Sequence, residues 1–343
     1  MSPQHASVPL SSARCTSVNI KGEISLVEIF MESLEDTIGV VIVLMGPTGA
    51  GKSSFIEALN ALSTSGPLGI AKDQLEPVTA DVRAYQVHNV TSVWGLYHVP
   101  IYIIDTPGFA DPRISELQVL ESMKRWRDAC STAEKVRMLY FHPISDIRLA
   151  SRKKRCMDVL KSFWGARNIP TVTLVTTMWD RLKPESRATA EGRFESLRDD
   201  YWTEWCQKGS RAIKFENTYE SAIDILKHVA QMANRDISAH KTKGYGDVKR
   251  IDEMLTVEQL LRERIDSLQQ RLQMIDDDLR TLADPETEEF RQILREDRKD
   301  VLDTLARFSS QLEKLHPSPL NRATRSLMLI KRWISSRAAS DVL

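Results

Sequence analysis

The chain has no excess charge of either sign. It contains 343 residues, and its 47 Lys and Arg residues are balanced by 47 Asp and Glu residues. Proteins that bind nucleic acid mainly through its phosphates usually present a strong positive field, so this balance argues against bulk nucleic-acid binding. We therefore expect no nucleic-acid partner.

Cysteine is also scarce. The chain has four cysteines, which show neither the close pairs of a metal site nor the density of a disulfide-stabilised fold: Cys15, Cys130, Cys156 and Cys206. We interpret them as free thiols in a reducing compartment.

Long apolar runs are missing. The longest is residues 40–45, whereas a helix needs about 20 apolar residues to cross a bilayer. The first 17 residues lack the apolar block of a signal peptide and are rich in Ser, Pro and His. We expect a cytoplasmic protein in which residues 1–36 form a disordered lead-in, with at most one helical turn at residues 26–30.

Residues 37–240 alternate short β-branched runs with longer amphipathic stretches, which is typical of an α/β sandwich with a mostly parallel sheet. Six strands are predicted, at residues 39–45, 82–87, 98–104, 136–141, 171–176 and 212–215. Helices are predicted between them, at residues 53–62, 114–131, 151–164, 184–208 and 219–233. The Gly- and Lys-rich residues 241–250 are predicted to form a hinge.

From about residue 254 the hydrophobic period becomes that of a heptad repeat. A first arm has apolar residues alternately four and three apart, at Leu261, Ile265, Leu268, Leu272, Ile275, Leu279 and Leu282. After a break at Asp284-Pro285 a second series follows, at Phe290, Leu294, Val301, Leu305, Phe308, Leu312 and Leu315. Residues 251–316 are therefore predicted to form an antiparallel helical hairpin, or else a coiled coil between two chains. In the second arm one seam position falls on a charged residue, Asp297 or Arg298.

Residues 317–343 form a separate tail. Its segment 321–340 carries five basic residues and no acidic residue, with apolar residues sharing one helical face. A basic amphipathic helix suits an anionic membrane surface or a partner protein, and it suits docking on the rest of the chain equally well.

A complete phosphate-binding motif, G-x-x-x-x-G-K-S, occupies residues 46–53 between an apolar strand and an apolar-periodic helix. Glycines allow successive backbone N–H groups to surround phosphates, and the helix N-terminus adds partial positive charge. Lys52 is predicted to contact the β- and γ-phosphates, and the Ser53 hydroxyl to bind Mg²⁺. The predicted nucleotide contacts here are Gly46, Pro47, Thr48, Gly49, Ala50, Gly51, Lys52, Ser53 and Ser54.

A second motif, Asp105-Thr-Pro-Gly108, follows the predicted strand 98–104. Ligands of open α/β sheets bind at the carboxyl ends of the strands, where Asp105 would hold a Mg²⁺-bound water. Gly108 would donate its N–H to the γ-phosphate. A loop carboxylate that only caps a helix is the alternative interpretation of Asp105.

The third motif is T-x-x-D, at Thr177 to Asp180, directly after the strand 171–176. GTPases bind guanine here with [NT]-K-x-D, in which the aspartate accepts hydrogen bonds from the guanine N1–H and exocyclic amine. Asp180 is the predicted specificity residue, and Thr177 a further nucleotide contact. Met178 stands where lysine is usual, which keeps an ATPase open as a less favoured alternative.

With these motifs in order, residues 38–233 resemble TRAFAC-class P-loop GTPases grouped around septins and the avirulence-induced (immunity-associated) nucleotide-binding proteins. They are most similar to fungal proteins described as G-domain-containing. The resemblance rests on residues 105–111, 139–148, 176–180 and 215–222. It implies a six-stranded P-loop NTPase sandwich, GTP or GDP with Mg²⁺, and a homodimer formed across the nucleotide face.

The resemblance also assigns roles outside the three motifs. Thr79 stands where switch I offers its threonine to Mg²⁺ and the γ-phosphate, although an ordinary loop threonine is the alternative. With Lys52 and Gly108 it completes the predicted catalytic set. Residues 216–218 fall where the guanine-supporting loop lies, without its usual S-A-K sequence.

The expected water-orienting residue is missing. Ras-like GTPases place a glutamine directly after the D-x-x-G glycine, and this chain has Phe109 there. His142, just past a predicted strand, is one candidate replacement, and a histidine bonded to a backbone carbonyl is the alternative. We therefore expect a GTP-binding switch with slow Mg²⁺-dependent hydrolysis, or a non-hydrolysing scaffold of the septin type.

Overall fold

The computed structural model describes residues 15–34, 39–71, 82–94, 96–109, 111, 114–115, 117–122, 135–146, 157–158, 160, 164, 171–231, 250–281 and 288–315. These residues form two compact units, one built around a β-sheet and the other around two long helices.

The sheet of the first unit has seven strands among the described residues. They are β1 (Cys15–Ile29), β2 (Val40–Met45), β3 (Arg83–Trp94), β4 (Tyr97–Asp105), β5 (Lys135–Pro143), β6 (Val172–Thr177) and β7 (Arg211–Lys214). Their order across the sheet is β1-β3-β4-β2-β5-β6-β7. Strands β4, β2, β5, β6 and β7 pair in parallel, while β3 is antiparallel to β4 and β1 is antiparallel to β3. The predicted mostly parallel α/β fold is confirmed, with seven strands instead of six.

The additional strand is β1, which lies in the lead-in that we predicted to be disordered. That prediction was wrong for residues 15–29, and the helical turn predicted at 26–30 is strand up to Ile29. Inward-facing residues alternate over part of β1: Ile24 and Leu26 are buried, and Val18 and Ile20 pack on the same core. The alternation is difficult to recognise in the sequence, because polar residues stand between the apolar ones and Gly22 interrupts the series.

The parallel strands place the motif residues at one edge of the sheet. Strand β2 is buried along its whole length and lies between β4 and β5. It runs directly into Gly46, while β4 ends at Asp105 and β6 ends at Thr177. Because parallel strands finish at the same edge, residues far apart in sequence meet there.

Four α-helices of the first unit are α1 (Lys52–Leu59), α2 (Pro184–Ser196), α3 (Thr203–Gln207) and α4 (Tyr219–Gln231). Helices were predicted at 53–62 and 219–233, close to α1 and α4. The single helix predicted at 184–208 is interrupted by a π-helical turn at Leu197–Tyr201. This turn changes the helical phase, and both Trp202 and Trp205 are buried behind it.

The core of this unit lies beneath the helix that follows the phosphate loop. Phe55 of α1 packs against Phe141 of β5 and against Phe215, with ring centroids 5.5 Å apart in both pairs. Helix α4 buries Ile225, Val229 and neighbouring residues in the same core. Aromatic pairs of this kind stabilise a core beyond the area that they bury.

The second unit contains α5 (Arg250–Thr281) and α6 (Glu288–Leu315), which pack antiparallel within one chain. Arg271 pairs with Asp297, whereas Arg264, earlier in α5, lies over the ring of Phe308, later in α6. The seam consists of predicted heptad residues: Leu261, Ile265, Leu272, Ile275, Val301, Leu305, Phe308 and Leu312. Of the two predicted alternatives, the structure shows the antiparallel hairpin within one chain. None of the helices described in either unit is apolar enough over a sufficient length to cross a membrane.

The charged residue in the seam is Arg298. Its Nε donates to Asp276 Oδ1 at 2.7 Å, and both side chains are largely buried. Asp297 instead lies at the margin, where it pairs with Arg271. A paired charge inside an apolar seam favours one register of the two helices, because any shift would leave it unpaired.

Several predictions fall outside the described residues. These are the tail at 317–343, the switch I residue Thr79, most of the helices predicted at 114–131 and 151–164, and the hinge at 241–250 except for Arg250, which begins α5.

Candidate nucleotide-binding site

The loop after β2 has the backbone of an anion-binding turn. Gly46 approaches β5 so closely that a Cβ there would overlap the Phe141 carbonyl. Gly51 has a φ of 87° and forms the N-cap of α1. The helix thus begins at Lys52 with its free N–H groups facing the loop, which is the arrangement that binds phosphate.

Lys52 lies across this loop. Its side chain is buried, and Nζ donates to the carbonyl oxygens of Pro47 at 3.0 Å and Gly46 at 3.3 Å. Burial lowers the pKa of the Lys52 ammonium, and the nearby carboxylates of Asp105 and Asp111 oppose that shift. An anionic ligand would further favour the charged form, so the site is suited to phosphate.

Ser53 and Asp105 face each other at the start of α1 and the end of β4. The Ser53 hydroxyl donates to Asp105 Oδ2 at 3.3 Å, and Asp105 is buried. In the part of the chain that the structure describes, no three His, Cys, Asp or Glu residues gather as a metal site. One carboxylate and one hydroxyl fit Mg²⁺, which takes oxygen ligands and is commonly completed by phosphates and water.

The D-x-x-G segment is attached to the phosphate loop. The Phe109 N–H donates to the Gly46 carbonyl at 3.1 Å, and the Thr48 N–H donates to the Phe109 carbonyl at 3.0 Å. Gly108 lies so close to Thr48 that a Cβ at Gly108 would overlap the Thr48 backbone and hydroxyl. Glycine is therefore required at 108 for this contact, whatever role its N–H has.

A side-chain contact reinforces this attachment. The Thr48 hydroxyl donates to Asp111 Oδ2 at 2.8 Å, and Asp111 Oδ1 accepts from the Ile114 N–H at 3.2 Å. Thr48 is exposed at the loop surface, whereas Asp111 is buried.

The T-x-x-D motif meets the residues after β7 at the other end of the site. Asn217 Nδ2 donates to Asp180 Oδ2 at 2.9 Å. Met178 and Asn217 both have positive φ, 63° and 58°, so each loop turns sharply where the base would lie. Asp180 is exposed and its carboxylate is oriented by the asparagine.

The strand leading to this motif also supports the phosphate loop. The Thr177 hydroxyl donates to the Ala50 carbonyl at 2.9 Å, and Thr177 methyl and hydroxyl groups pack against Gly51. Thr177 therefore links the two halves of the site, and a direct contact with nucleotide stays a prediction.

Behind the T-x-x-D loop, Trp179 is buried and fixed on several sides. Its Nε1 donates to Thr176 Oγ1 at 3.0 Å, and Lys214 Nζ lies 4.6 Å from the ring centroid. Lys214 in turn pairs with Glu191 of α2. This packing holds the loop that carries Asp180 in place.

The sequence of this unit matches a family model. Residues 41–177 match the family described as 50S ribosome-binding GTPase, a match that contains the phosphate loop and Asp105. The first unit therefore has the P-loop GTPase fold. Its fold is the mixed α/β fold of such domains, with a mostly parallel seven-stranded sheet followed by C-terminal helices.

Solved structures of other GTPases are similar at low identity. Toc33 from Arabidopsis thaliana in complex with GDP and Mg²⁺ is 15% identical, with a TM-score of 0.39 over 59% of this chain and 89% of that chain. The cytosolic domain of L. pneumophila FeoB is 14% identical, with a TM-score of 0.30 over 81% and 96%. The corresponding domain of T. maritima FeoB is 14% identical, with a TM-score of 0.32 over 81% and 98%. No curated protein sequence matches the chain.

The GTPase domain brings most predicted site residues together. The phosphate-loop residues, Asp105 and Gly108 lie at one end, and Thr177 and Asp180 lie at the other. Thr79 lies outside the described residues. His142 is buried in β5 with its ring edge-to-face against Trp202, at 5.7 Å between centroids, which places it in the packing of this unit.

Two residues of this arrangement were not among the predicted site residues. Asp111 closes the motif 105–111, yet nothing in the sequence indicated its contact with Thr48. Asn217 lies in the loop expected to support guanine, and its amide could have suggested a partner for Asp180.

Proposed function

We propose that this protein is a GTP-dependent switch that hydrolyses GTP slowly with Mg²⁺. The observation that carries the proposal is the attachment of Phe109 to the phosphate loop through Gly46 and Thr48. It places Gly108, on the segment that would sense the γ-phosphate, directly against the loop that would hold it.

A switch requires contacts that differ between GTP and GDP. Only GTP has a γ-phosphate, and this group would meet both Lys52 and the Gly108 N–H. Since Gly108 adjoins Thr48, a phosphate bound there would alter the contacts of the 105–111 segment. GTPase switches commonly work in this way, because contacts with the γ-phosphate order a segment that is released after hydrolysis.

Slow hydrolysis is supported by the environment of Phe109. Its side chain is 1% exposed, so the position that commonly carries a water-orienting glutamine holds a buried ring. Ser53 and Asp105 would hold Mg²⁺ directly and through water. When bound, Mg²⁺ neutralises charge on the β- and γ-phosphates.

Preference for guanine is supported by the pair formed by Asp180 and Asn217. The asparagine amide occupies one carboxylate oxygen of Asp180, which fixes the plane of the carboxylate. A fixed acceptor suits the N1–H and amine of guanine, whereas adenine lacks both donors in that arrangement. The ATPase is therefore the less favoured alternative despite Met178.

We also propose that the GTPase domain forms a homodimer across its nucleotide face and works in the cytoplasm. Septin-like and immunity-associated relatives, which the motifs resemble, support the dimer. The helices of the second unit and the basic tail would then contact a partner protein or an anionic membrane surface.

Equilibrium titration of the full chain with GTP, GDP and ATP, with and without Mg²⁺, tests the proposal. We expect both guanine nucleotides to bind more tightly than ATP and Mg²⁺ to strengthen GTP binding. Lys52→Ala should abolish nucleotide binding, because Lys52 carries the one buried ammonium among the described residues. Lys208→Ala, on the surface, is the control and should leave binding unchanged. Unchanged GTP affinity in Lys52→Ala would contradict the site.

A non-hydrolysing scaffold is the second candidate, and the burial of Phe109 favours it too. Multiple-turnover phosphate release separates the two functions. Continued release over many turnovers supports the switch, whereas binding without release supports the scaffold.

A further inference from the structure

Thr48 and Asp111 form a pair in which one member is accessible and the other is not. Thr48 is exposed at the surface of the phosphate loop, and Asp111 lies 1% exposed behind it. The Thr48 hydroxyl donates its hydrogen to Asp111 Oδ2 at 2.8 Å. The other oxygen of Asp111 accepts from the Ile114 N–H, which fixes the carboxylate in place.

This hydrogen bond determines what the threonine can offer. A hydroxyl has one donor hydrogen and two acceptor lone pairs. Because Asp111 takes the hydrogen, the Thr48 oxygen keeps only its lone pairs and can meet a further partner only as an acceptor. Phosphate oxygens are acceptors as well, so they would be poor partners for it, whereas a water molecule would be a good one.

The position of this acceptor matters. Thr48 Oγ1 adjoins Gly108, where the γ-phosphate is expected, and it belongs to the loop that carries Lys52. We propose that the Thr48 hydroxyl orients the water that attacks the γ-phosphate, and that Asp111 is a positioning residue that acts through Thr48. This inference rests on the proposed GTPase function. Thr48 would orient the attacking water, which Phe109 cannot do.

In the proposed step, Thr48 accepts a hydrogen bond from the water and its own bonds do not change. The water oxygen bonds to the γ-phosphorus, and the bond from that phosphorus to the β–γ bridging oxygen breaks. The electron pair of the broken bond stays on GDP, and the water proton passes to a γ-phosphate oxygen. The products are GDP and inorganic phosphate.

The test is single-turnover hydrolysis of GTP prebound to the full-length protein, with GDP and GMPPNP affinities and thermal unfolding measured in parallel. Thr48→Val removes the acceptor at an exposed position, so the fold should be kept. We expect its cleavage rate to fall by about 10²-fold, a usual loss for one positioned group, with affinities within about threefold. Thr48→Ser keeps the hydroxyl and should recover most of the rate.

Asp111→Asn tests the positioning role. The amide can donate to Thr48 instead of accepting from it, so the cleavage rate should fall in this variant. In a Thr48→Val background the same substitution should have no further effect on the rate. Thr91→Val is the matched control, because its hydroxyl contacts His98 on the neighbouring strand, outside the site.

The outcomes separate this inference from the proposed function. Absence of GTP binding by the unchanged protein would overturn both. Binding without cleavage would overturn both the proposed hydrolysis and the role of Thr48. Cleavage by Thr48→Val at the rate of the unchanged protein would overturn only the role of Thr48. Additive losses in the double variant would overturn the claim that Asp111 acts through Thr48.

Discussion

At the scale of residues, the two ends of the nucleotide site are built differently. At the phosphate end, Lys52 and Asp105 are buried, and backbone hydrogen bonds join Phe109 to the loop. At the base end, Asp180 is exposed and is oriented by Asn217. We expect substitutions at the first end to affect binding of any nucleotide, and those at the second end to affect selectivity.

Asp180→Asn should weaken GTP binding and reduce discrimination against other bases. It removes a carboxylate that would accept from guanine, and lost hydrogen bonds to charged groups cost about 1.5–3 kcal/mol each. Side-by-side titration with GTP, ATP and XTP measures this, with Asp224→Asn of α4 as a control. Unchanged relative affinities would mean that Asp180 does not contact the base.

The predicted site residues and those that were missed differ in sequence separation. Gly46, Lys52 and Ser53 form one contiguous motif, so the sequence alone indicates their chemistry. The pair formed by Thr48 and Asp111 is separated by 63 residues, and that formed by Asp180 and Asn217 by 37. Only the parallel pairing of the strands brings such residues together, and a single sequence does not reveal that pairing.

At the scale of elements, β1 is a strand that the sequence analysis did not predict. Its inward residues alternate, but charged and polar residues fill the outward face and Gly22 interrupts the pattern. The strand is secured by tertiary contacts that local sequence does not contain, such as the hydrogen bond from the Leu26 N–H to Asn60 Oδ1 at 2.9 Å. The heptad arms were easier to predict because their apolar period extends over many turns.

Ile24→Ala should destabilise the GTPase domain by about 2–5 kcal/mol, because Ile24 is fully buried in the core. Val27→Ala on the same strand is the matched control and should have little effect, since Val27 is 48% exposed. Chemical denaturation measures both. Equal stabilities of the two variants would mean that β1 does not belong to the folded core.

Arg298→Ala should destabilise the helical hairpin, because it removes the guanidinium that pairs with Asp276 inside the apolar seam. Removing one member of a fully buried pair costs about 3–5 kcal/mol, and we expect less here since both side chains retain some exposure. Arg271→Ala should have little effect, because its pair with Asp297 is largely exposed. Hydrogen exchange in α5 and α6 would report the difference, and equal protection in both variants would contradict this role.

At the scale of the whole molecule, the chain has one unit with the P-loop GTPase fold and a second unit that forms a helical hairpin. The P-loop GTPase fold could be predicted from contiguous motifs at residues 46–53, 105–108 and 177–180. The septin or immunity-associated subtype, the partner of the hairpin and the role of the tail stay predictions, since they depend on surfaces that no motif identifies.

Dimerisation should depend on the bound nucleotide. If the segment containing Gly108 rearranges with the γ-phosphate and forms the contact, GMPPNP should favour the dimer over GDP. Light scattering of the full chain in both states, over a range of protein concentrations, measures this. A monomer in both states, with turnover per chain independent of concentration, would rule out the proposed dimer.

If the protein is a switch, the γ-phosphate alters the attachment of residues 105–109 to the phosphate loop. Amide hydrogen exchange at the Phe109 N–H, which donates to Gly46, reports this attachment most directly. We expect protection of this segment to differ by about tenfold or more between the GMPPNP and GDP complexes, whereas the core of β2 exchanges equally in both. Identical exchange of residues 105–109 in two saturated complexes would contradict the switch.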